Sequence, residues 1–249
     1  MIVTAYKTPK VVVGATLFDV LDHALPTLPE RSVVVVTSKI ISICQGRVMK
    51  NDGKLSKQML IRKESQLYME DAANDKWGII LTVKNDTLIA SAGIDESNGN
   101  GYFILWPKDI PKVAADIWQH LRQKNKIKEL GIIISDSHTT PLRWGTSGIG
   151  IGWCGFRPLN DYIGQPDIFG RFLHVTKASI LDGLSAAAVA VMGEGSEQTP
   201  LAVIRDLPFV SFTNRPPSKI ELREFHISLK EDIYAPLVHS PLWKKGGQV

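Results

Sequence analysis

The segment from Ser135 to Gly155 constrains the fold of this 249-residue chain more than any other. An apolar stretch, 131–134, leads into the acid Asp136, and a polar turn then continues to Arg143. Next comes a string of five glycines: Gly145, Gly148, Gly150, Gly152 and Gly155. Glycine backbone can approach phosphate oxygens closely, and the acid would then hold the cation that neutralises the phosphate. Alternatively, the glycines form a tightly packed strand. The segment alone leaves both interpretations open.

Composition excludes several classes of protein. The chain is 44% hydrophobic and 22% charged, as ordinary soluble proteins are. The formal net charge of +4 is spread along the chain without a basic and aromatic patch, so we expect anionic substrates but no nucleic acid. Cys44 and Cys154 lack CxxC spacing, which predicts reduced thiols and a cytoplasmic location. No signal peptide or bilayer-length apolar run is present, so no membrane association is expected.

Periodicity predicts alternating strands and helices. The predicted strands cover 33–36, 78–83, 88–92, 103–105, 131–134 and 201–204, with a hairpin turn at 84–87. The predicted helices cover 17–24, 111–124 and 177–192, the last one capped by Gly193. The fold class is therefore α/β or α+β, a mixed sheet with helices. We expect one catalytic unit over residues 1–249, with a possible inner lobe at about 100–175 and a peripheral C-terminal wrap at 216–249.

Two familiar nucleotide motifs do not apply. Gly150, Gly152 and Gly155 match G-x-G-x-x-G, but Phe156-Arg157-Pro158-Leu159 follows as a loop where that motif needs a helix. No G-x-x-x-x-G-K-[ST] sequence occurs either. Any nucleotide is therefore held in another way.

Three further polar segments follow predicted elements, and each has a functional and a plain interpretation. The stretch 90–99 carries Asp95 and Asn98, which would suit a hard metal and phosphate or simply form a solvated turn. The stretch 192–200 carries Glu194 and Glu197 at a helix C-terminus, where acids need compensation by a cation or by solvent. The stretch 36–48 offers cationic and hydroxyl groups that would contact phosphate or remain on the surface: Ser38, Lys39, Ser42 and Arg47.

Together these segments resemble the coenzyme F420-0:γ-glutamyl ligase family. The resemblance covers residues 33 to about 206 and rests on TSKIISICQGRV, ASAGIDESN, the pair Trp106-Pro107, SDS with PLR and the glycines, PLNDYIGQPDIFGRFL and AAAVAVMGEGSEQTPLAVIR. It implies a homodimeric ligase that joins L-glutamate to an acceptor carboxylate, using GTP or ATP with Mg²⁺ or Mn²⁺ at two sites. The acceptor would be coenzyme F420-0 or a folate.

The resemblance also assigns residues to roles. It implies metal ligation by Asp95, Asp136, Ser137 and Glu194. Nucleotide contacts are implied for Ser38, Lys39, Ser42, Asn98, and the loop residues Met192, Gly193, Glu194, Gly195, Ser196 and Glu197. The stretch 8–11 matches a further N-terminal contact. Asp136, Arg143 and Lys39 are the expected catalytic residues, the last two stabilising charge on the transferring phosphoryl group or on substrate carboxylates.

This sequence departs from the family pattern at several positions. Ile43 stands where the family commonly has Lys, and Thr139 and Thr140 replace Gly-Arg. Glu194 replaces Gln but still offers an oxygen ligand to a metal. These departures spare the metal acids and fall on the expected acceptor side, which favours a changed acceptor such as folate. The rival hypothesis is a non-catalytic nucleotide- or pterin-binding protein that has kept the pocket.

Overall fold

The computed structural model describes residues 1–69 and 78–247. The strands in this part of the chain are β1 (Ile2–Tyr6), β2 (Ser32–Thr37), β3 (Val48–Lys50), β4 (Leu67–Met69), β5 (Leu81–Lys84), β6 (Thr87–Ala90), β7 (Tyr102–Ile104), β8 (Leu130–Thr139), β9 (Thr146–Cys154), β10 (Leu159–Asp161), β11 (Lys177–Ser179), β12 (Leu201–Arg205) and β13 (Trp243–Lys245). The helices are α1 (Leu17–Ala24), α2 (Ser38–Cys44), α3 (Lys57–Glu64), α4 (Ile110–Asn125), α5 (Ile180–Met192), α6 (Lys219–Glu224) and α7 (Ala235–Val238).

A five-stranded sheet in the order β1-β12-β2-β8-β9 forms the centre of the molecule. β2 and β8 pair in parallel and the other neighbours are antiparallel, which confirms the predicted mixed sheet. The continuous valine run of β2 follows from burial on both faces. Val34 and Val36 join the core beneath α1, α2 and α4, whereas Val33 and Val35 join the core beneath α5.

The predicted helices form, with one corrected boundary. α4 has Pro111 in its first turn and buries Ala114, Ile117 and Leu121, as its spacing predicts. The third predicted helix starts three residues late, because Ser179 caps α5 and accepts a hydrogen bond from the Asp182 N–H at 3.2 Å. Lys177–Ser179 instead pairs with β10.

Four of the five glycines, all except Gly145, pack closely against neighbouring elements, which favours the packed-strand interpretation over the phosphate cradle. A Cβ at Gly148 would collide with the Ser185 carbonyl of α5, and one at Gly150 with Leu181. The register of β8 against β9 shifts between Ile134 and Ser135, so a Cβ at Gly152 would meet Ile110 of α4 on the opposite face. β8 also runs on through Thr139, so the polar turn begins four residues after Asp136.

A smaller core lies beside the main sheet. It joins α3, β7 and the segment that follows β6 through Leu60, Ile61, Ala92, Ile94 and Phe103. The predicted hairpin is confirmed with shorter strands, since Asn85 and Asp86 both have positive φ between β5 and β6. The predicted inner lobe at 100–175 lies mostly C-terminal to this small core. In the C-terminal segment, β13 pairs with β4. Among the described residues, no helix is long and apolar enough to cross a membrane.

Candidate functional site

A cavity of about 800 Å³ opens where the parallel strands β2 and β8 end. Carboxyl ends of neighbouring parallel strands meet at one sheet edge, which is the common place for a ligand site in such sheets. Five stretches separated in the sequence converge there. The lining includes residues 8–12, 37–40, 93–95, 135–137 and 192–200.

Lys39 and Asp95 form an ion pair in the cavity wall. The Lys39 Nζ lies 2.5 Å from the Asp95 Oδ2 and 3.2 Å from the Ser97 hydroxyl. The other carboxylate oxygen of Asp95 accepts hydrogen bonds from the N–H groups of Glu96 and Ser97 at 2.6 and 2.8 Å. Burial would raise the pKa of Asp95, but Lys39 and Ser97 outweigh it and hold that pKa below 3.8. Asp95 is therefore ionised at neutral pH.

Asp136 carries a charge that its surroundings compensate poorly. The half-buried carboxylate accepts hydrogen bonds from the Trp106 indole N–H and, at 2.8 Å, from the Ser137 N–H. Burial raises the pKa of Asp136 to about 6, and the nearby charge of Asp95 adds to this rise. The two hydrogen bonds and Lys39 offset only part of the rise. A cation here would therefore relieve an electrostatic cost.

The loop after α5 supplies two further carboxylates. Glu194 accepts hydrogen bonds from the hydroxyls of Ser137 at 2.6 Å and Thr146 at 3.2 Å. Glu197 accepts one from the Gly195 N–H at 2.8 Å. Negative charge at a helix C-terminus is unfavourable because of the helix dipole. These hydrogen-bond donors offset part of that unfavourable interaction.

Asn98 connects this loop to the opposite wall of the cavity. Its side-chain amide donates to the Gly195 carbonyl at 3.0 Å. The two segments that the sequence analysis assigned to metal and nucleotide are thus in contact.

The structure brings together most of the predicted site residues, with two exceptions. Ser38, Lys39, Asp95, Asn98, Asp136, Ser137 and residues 192–197 all line the cavity. Arg143 is exposed in the loop between β8 and β9 and is absent from the cavity lining. Ser42 is fully buried beside the cavity, and within the described residues its hydroxyl has no hydrogen-bond partner. The roles of these residues stay predictions.

Sequence reasoning gave no role to Trp106 and Thr146, and it included Lys10 only within the N-terminal contact stretch 8–11. Trp106 was part of a recognised motif, but its contact with Asp136 depends on long-range packing. Thr146 reaches Glu194 only because β9 returns beside β8, and no local signal marks it. Lys10 belongs to the N-terminal stretch that lines the cavity, and the hydrogen bond from the Thr8 N–H to the Gln198 carbonyl, 2.9 Å long, holds that stretch in place.

The charges of the cavity suit a hard cation. Four carboxylates and two lysines line it among the described residues: Asp95, Asp136, Glu194, Glu197, Lys10 and Lys39. No group of three or more His, Cys, Asp and Glu side chains stands close enough to hold a metal in the described parts of the chain. Mg²⁺ is ordinarily held by one or two carboxylates together with substrate phosphates and water, so pairs of acids fit it.

The mixed sheet and the carboxylate-lined cavity at its strand ends define an α+β protein with a candidate ligand site. Comparison with known proteins identifies its family. The F420-0:Gamma-glutamyl ligase family matches residues 6–206. The coenzyme F420:L-glutamate ligase of Methanococcus maripaludis is 36% identical over 200 residues, covering 75% of this chain and 80% of the relative. The enzyme of the same name from Methanosarcina mazei is 29% identical over 200 residues, covering 73% and 76%. The chain therefore belongs to the F420-0:Gamma-glutamyl ligase family, and it is a glutamate ligase that forms carbon–nitrogen bonds.

Proposed function

We propose that this ligase joins L-glutamate through an amide bond to the carboxylate of F420-0 or of a folate, at the expense of a nucleoside triphosphate, with GTP as the expected donor. The observation that supports this most directly is the convergence of Asp95, Asp136 and Glu194 at one cavity with Lys39. A triphosphate would be repelled by the acids alone. A hard divalent cation bound between the acids and the triphosphate would offset this repulsion.

The donor set of the cavity fits Mg²⁺ or Mn²⁺. Its ligands would all be oxygen atoms, from Asp95 and Asp136 for one ion and from Ser137 and Glu194 for another. When bound, these ions would neutralise charge on the β- and γ-phosphates. The loop 192–199 and Asn98 would hold the nucleotide beside them, as the family resemblance implies.

The enzyme then has mainly to position the reacting groups of the substrates. The acceptor carboxylate attacks the γ-phosphorus, which forms an acyl phosphate and releases the nucleoside diphosphate. The neutral amine of glutamate attacks the acyl carbon, loses a proton, and displaces inorganic phosphate. Lys39 would help to stabilise the transferring phosphoryl group. Its ammonium group would then interact with both the phosphoryl group and Asp95.

The positions at which this chain departs from the family pattern favour a folate acceptor. Ile43 lines the cavity as an apolar side chain where Lys is common, which removes a positive charge from the acceptor side. Thr139 and Thr140 are exposed beyond the cavity. Asp95 and Asp136 match the family pattern, and Glu194 still offers an oxygen ligand where Gln is common. The ligase reaction would thus be retained, whereas the preferred acceptor would change.

An acceptor screen by mass spectrometry tests the proposal. Purified protein is incubated with glutamate, Mg²⁺ or Mn²⁺, GTP or ATP, and either F420-0 or tetrahydrofolate monoglutamate. We expect a metal-dependent mass gain of one glutamyl unit. Asp136→Asn should abolish it, whereas Asp116→Asn, an exposed acid on α4, should not. Nucleotide binding without product on either acceptor would favour a binding protein instead.

Two further parts of the proposal concern the whole molecule. Homodimerisation is expected from the family, and the exposed apolar hairpin arm at residues 159–179 is a suitable contact surface. A cytoplasmic location is expected from the cysteine usage.

A further inference from the structure

The turn at residues 45–47 directly follows α2 and contributes nothing to the lining of the cavity as the described residues form it. The sequence leaves two interpretations open for Arg47, a contact to phosphate and a solvated surface cation. The structure supports neither, because Arg47 is partly buried and its guanidinium group binds two other parts of the chain. The proposed reaction leaves this residue without a role.

The way in which α2 ends determines the course of the chain here. Gly46 has a positive φ, and its N–H donates to the Ile43 carbonyl at 3.1 Å. The Arg47 N–H donates to the Ser42 carbonyl at 2.8 Å. This pattern is a Schellman motif, which ends a helix and redirects the chain. The chain continues into β3, and β3 pairs with β7, the strand that leads into residues 105–108.

Two side chains of the 45–47 turn hold the segment around Trp106 from both sides. The Arg47 guanidinium donates to the Trp106 carbonyl at 3.2 Å, and the Arg47 carbonyl accepts from the Leu105 N–H at 3.0 Å. The side-chain amide of Gln45 donates to the Lys108 carbonyl at 3.1 Å and accepts from the Lys108 N–H at 2.9 Å. The backbone before and after the Trp106 side chain is therefore fixed.

Trp106 connects this turn to the site. Its indole N–H donates to the Asp136 carboxylate, and its ring packs on Gly93. A hydrogen bond weakens when the donor N–H does not point at the acceptor. The indole ring is rigid, so the direction of its N–H follows from the position of the Trp106 backbone and from the packing of the ring. Groups that hydrogen-bond to a metal ligand also tune its affinity for the metal.

Glu64 fixes the guanidinium group that holds Trp106. The Glu64 carboxylate accepts a hydrogen bond from Arg47 at 2.7 Å, and the Arg47 side chain is only 20% exposed. Lys84 lies 2.6 Å from the same carboxylate, but within the described residues it donates nothing to Trp106. One cation beside Glu64 is thus connected to the site, whereas the other is not.

We propose that Gln45 and Arg47 are positioning residues for Asp136, and that they act through the backbone and the indole of Trp106. This inference rests on the proposed function, in which Asp136 holds a divalent cation. Neither residue would touch a substrate or the metal. Two segments that the sequence shows only as separate motifs, CQGR and Trp106-Pro107, would then form one unit that supports the metal site.

The indole N–H of Trp106 reports directly on this positioning. In a magnetic resonance spectrum of protein with isotope-labelled tryptophan, each of the six indoles gives one N–H signal. The signal that Trp106→Phe removes belongs to Trp106. Arg47→Met and Gln45→Ala should each shift that signal, because the hydrogen bond to Asp136 changes. Gln45 is exposed, so Gln45→Ala should fold even if Arg47→Met does not.

Two matched controls remove similar contacts elsewhere. Lys84→Met removes the other cation from Glu64. Gln66→Ala removes an exposed glutamine side chain that accepts a hydrogen bond from the Asp86 N–H at 3.0 Å. Both controls should leave the Trp106 signal unchanged, although Lys84→Met should lower the free energy of unfolding.

Mn²⁺ binding measures the consequence at the site. Electron paramagnetic resonance of free Mn²⁺ gives the dissociation constant without nucleotide or turnover. We expect the constant to rise at least about fivefold in Arg47→Met and Gln45→Ala, and to stay within about twofold of the wild-type value in both controls.

The outcomes separate this inference from the proposed function. An unchanged Trp106 signal in Arg47→Met and Gln45→Ala, or an equal shift in the controls, would overturn the positioning role. A shifted signal with unchanged Mn²⁺ affinity would also overturn it, and so would a wild-type protein that binds no Mn²⁺. A wild-type protein that binds Mn²⁺ but forms no glutamyl product would contradict the proposed function alone. The indole signal and the Mn²⁺ affinity still decide the positioning role in that case, because neither requires turnover.

Discussion

Two buried tryptophans each pack against a glycine, but their indole N–H groups donate to different kinds of partner. Trp106 packs on Gly93, and Trp118 packs on Gly155, so closely that a Cβ at either glycine would collide with the indole. Both glycines also have positive φ, which other residues rarely adopt. The Trp106 N–H donates to the Asp136 carboxylate, whereas the Trp118 N–H donates to the Leu130 carbonyl at 2.8 Å. One therefore orients a site residue and the other stabilises the core.

Trp106→Phe is expected to impair the ligase reaction through Asp136. Phe keeps an aromatic ring but cannot donate to the carboxylate, and a hydrogen bond to a charged group contributes about 1.5–3 kcal/mol. We predict a fall in kcat/KM of about 10- to 100-fold, with a higher Mg²⁺ or Mn²⁺ concentration needed for half-maximal rate. Steady-state rates over a metal titration measure both effects.

Trp118→Phe is the matched control, because it also removes an indole donor from the core. It should lower the free energy of unfolding without changing the metal requirement. Equal metal dependence in the two variants would show that Trp106 contributes only to folding.

The buried ion cluster around Glu64 predicts a pH dependence of stability. The Glu64 carboxylate, 17% exposed, lies 2.7 Å from the Arg47 guanidinium and 2.6 Å from the Lys84 ammonium. Burial would raise the pKa of Glu64 and does lower that of Lys84, but the two cations hold the pKa of Glu64 below its ordinary value of 4.5. Folding thus favours ionised Glu64. This stabilisation is complete above the pKa of the unfolded chain and is lost as pH falls through the lower pKa of the folded state.

Glu64→Gln should remove this acid-sensitive stability. Near pH 7 we expect a loss of about 3 kcal/mol, because Lys84 is left buried without its anion. The difference from wild type should shrink as the pH is lowered through and below 4.5. Urea unfolding across this range measures it, and a difference that is independent of pH would contradict the assignment.

At the scale of secondary-structure elements, the glycines of β9 let two helices approach the sheet. Gly148→Ala would place a Cβ against the Ser185 carbonyl of α5, and a backbone atom cannot move aside as a flexible side chain can. Overpacking of this kind costs about 1–3 kcal/mol, and we expect that loss in the free energy of unfolding. Gly183→Ala, at an exposed position of α5 with open space around it, should instead stabilise by about 0.5–1 kcal/mol. Chemical denaturation of both variants is the measurement, and similar losses would contradict the packing role of β9.

The elements differ in how far the sequence predicts them. β2, α4 and the β5–β6 hairpin carry local signals, namely a valine run, a helical period with Pro111, and Asn85-Asp86 at the turn, and all three form as predicted. The function of the β9 glycines could not be predicted, because it depends on which helix packs against each face. Likewise Asp136 was recognisable as a site residue, but its partner Trp106 and its raised pKa arise from tertiary contacts and burial.

At the scale of the whole molecule, one hairpin arm exposes an unusual number of large apolar side chains. Between β10 and β11, the chain folds back through hydrogen bonds such as that from the Gly164 N–H to the Leu173 carbonyl, 2.8 Å long. Ile168 is 92% exposed and Phe169 is 85% exposed, and both lie at the far end of this arm. Clustered exposed apolar groups commonly mark a protein contact surface. The arm is therefore where the expected homodimer is most readily tested.

The double variant Ile168→Asp and Phe169→Asp should dissociate the homodimer that we expect from the family. Covering a side chain of this size contributes about 1.5–3 kcal/mol, so replacing one Ile and one Phe on each subunit should raise the dissociation constant at least about 100-fold. Sedimentation velocity over a concentration series measures the change. The control is Ile233→Asp, an equally exposed residue of the C-terminal segment, which should leave the dimer intact. A wild-type protein that sediments as a monomer at all concentrations would contradict the homodimer, and dissociation by the control alone would move the contact from the arm to the C-terminal segment.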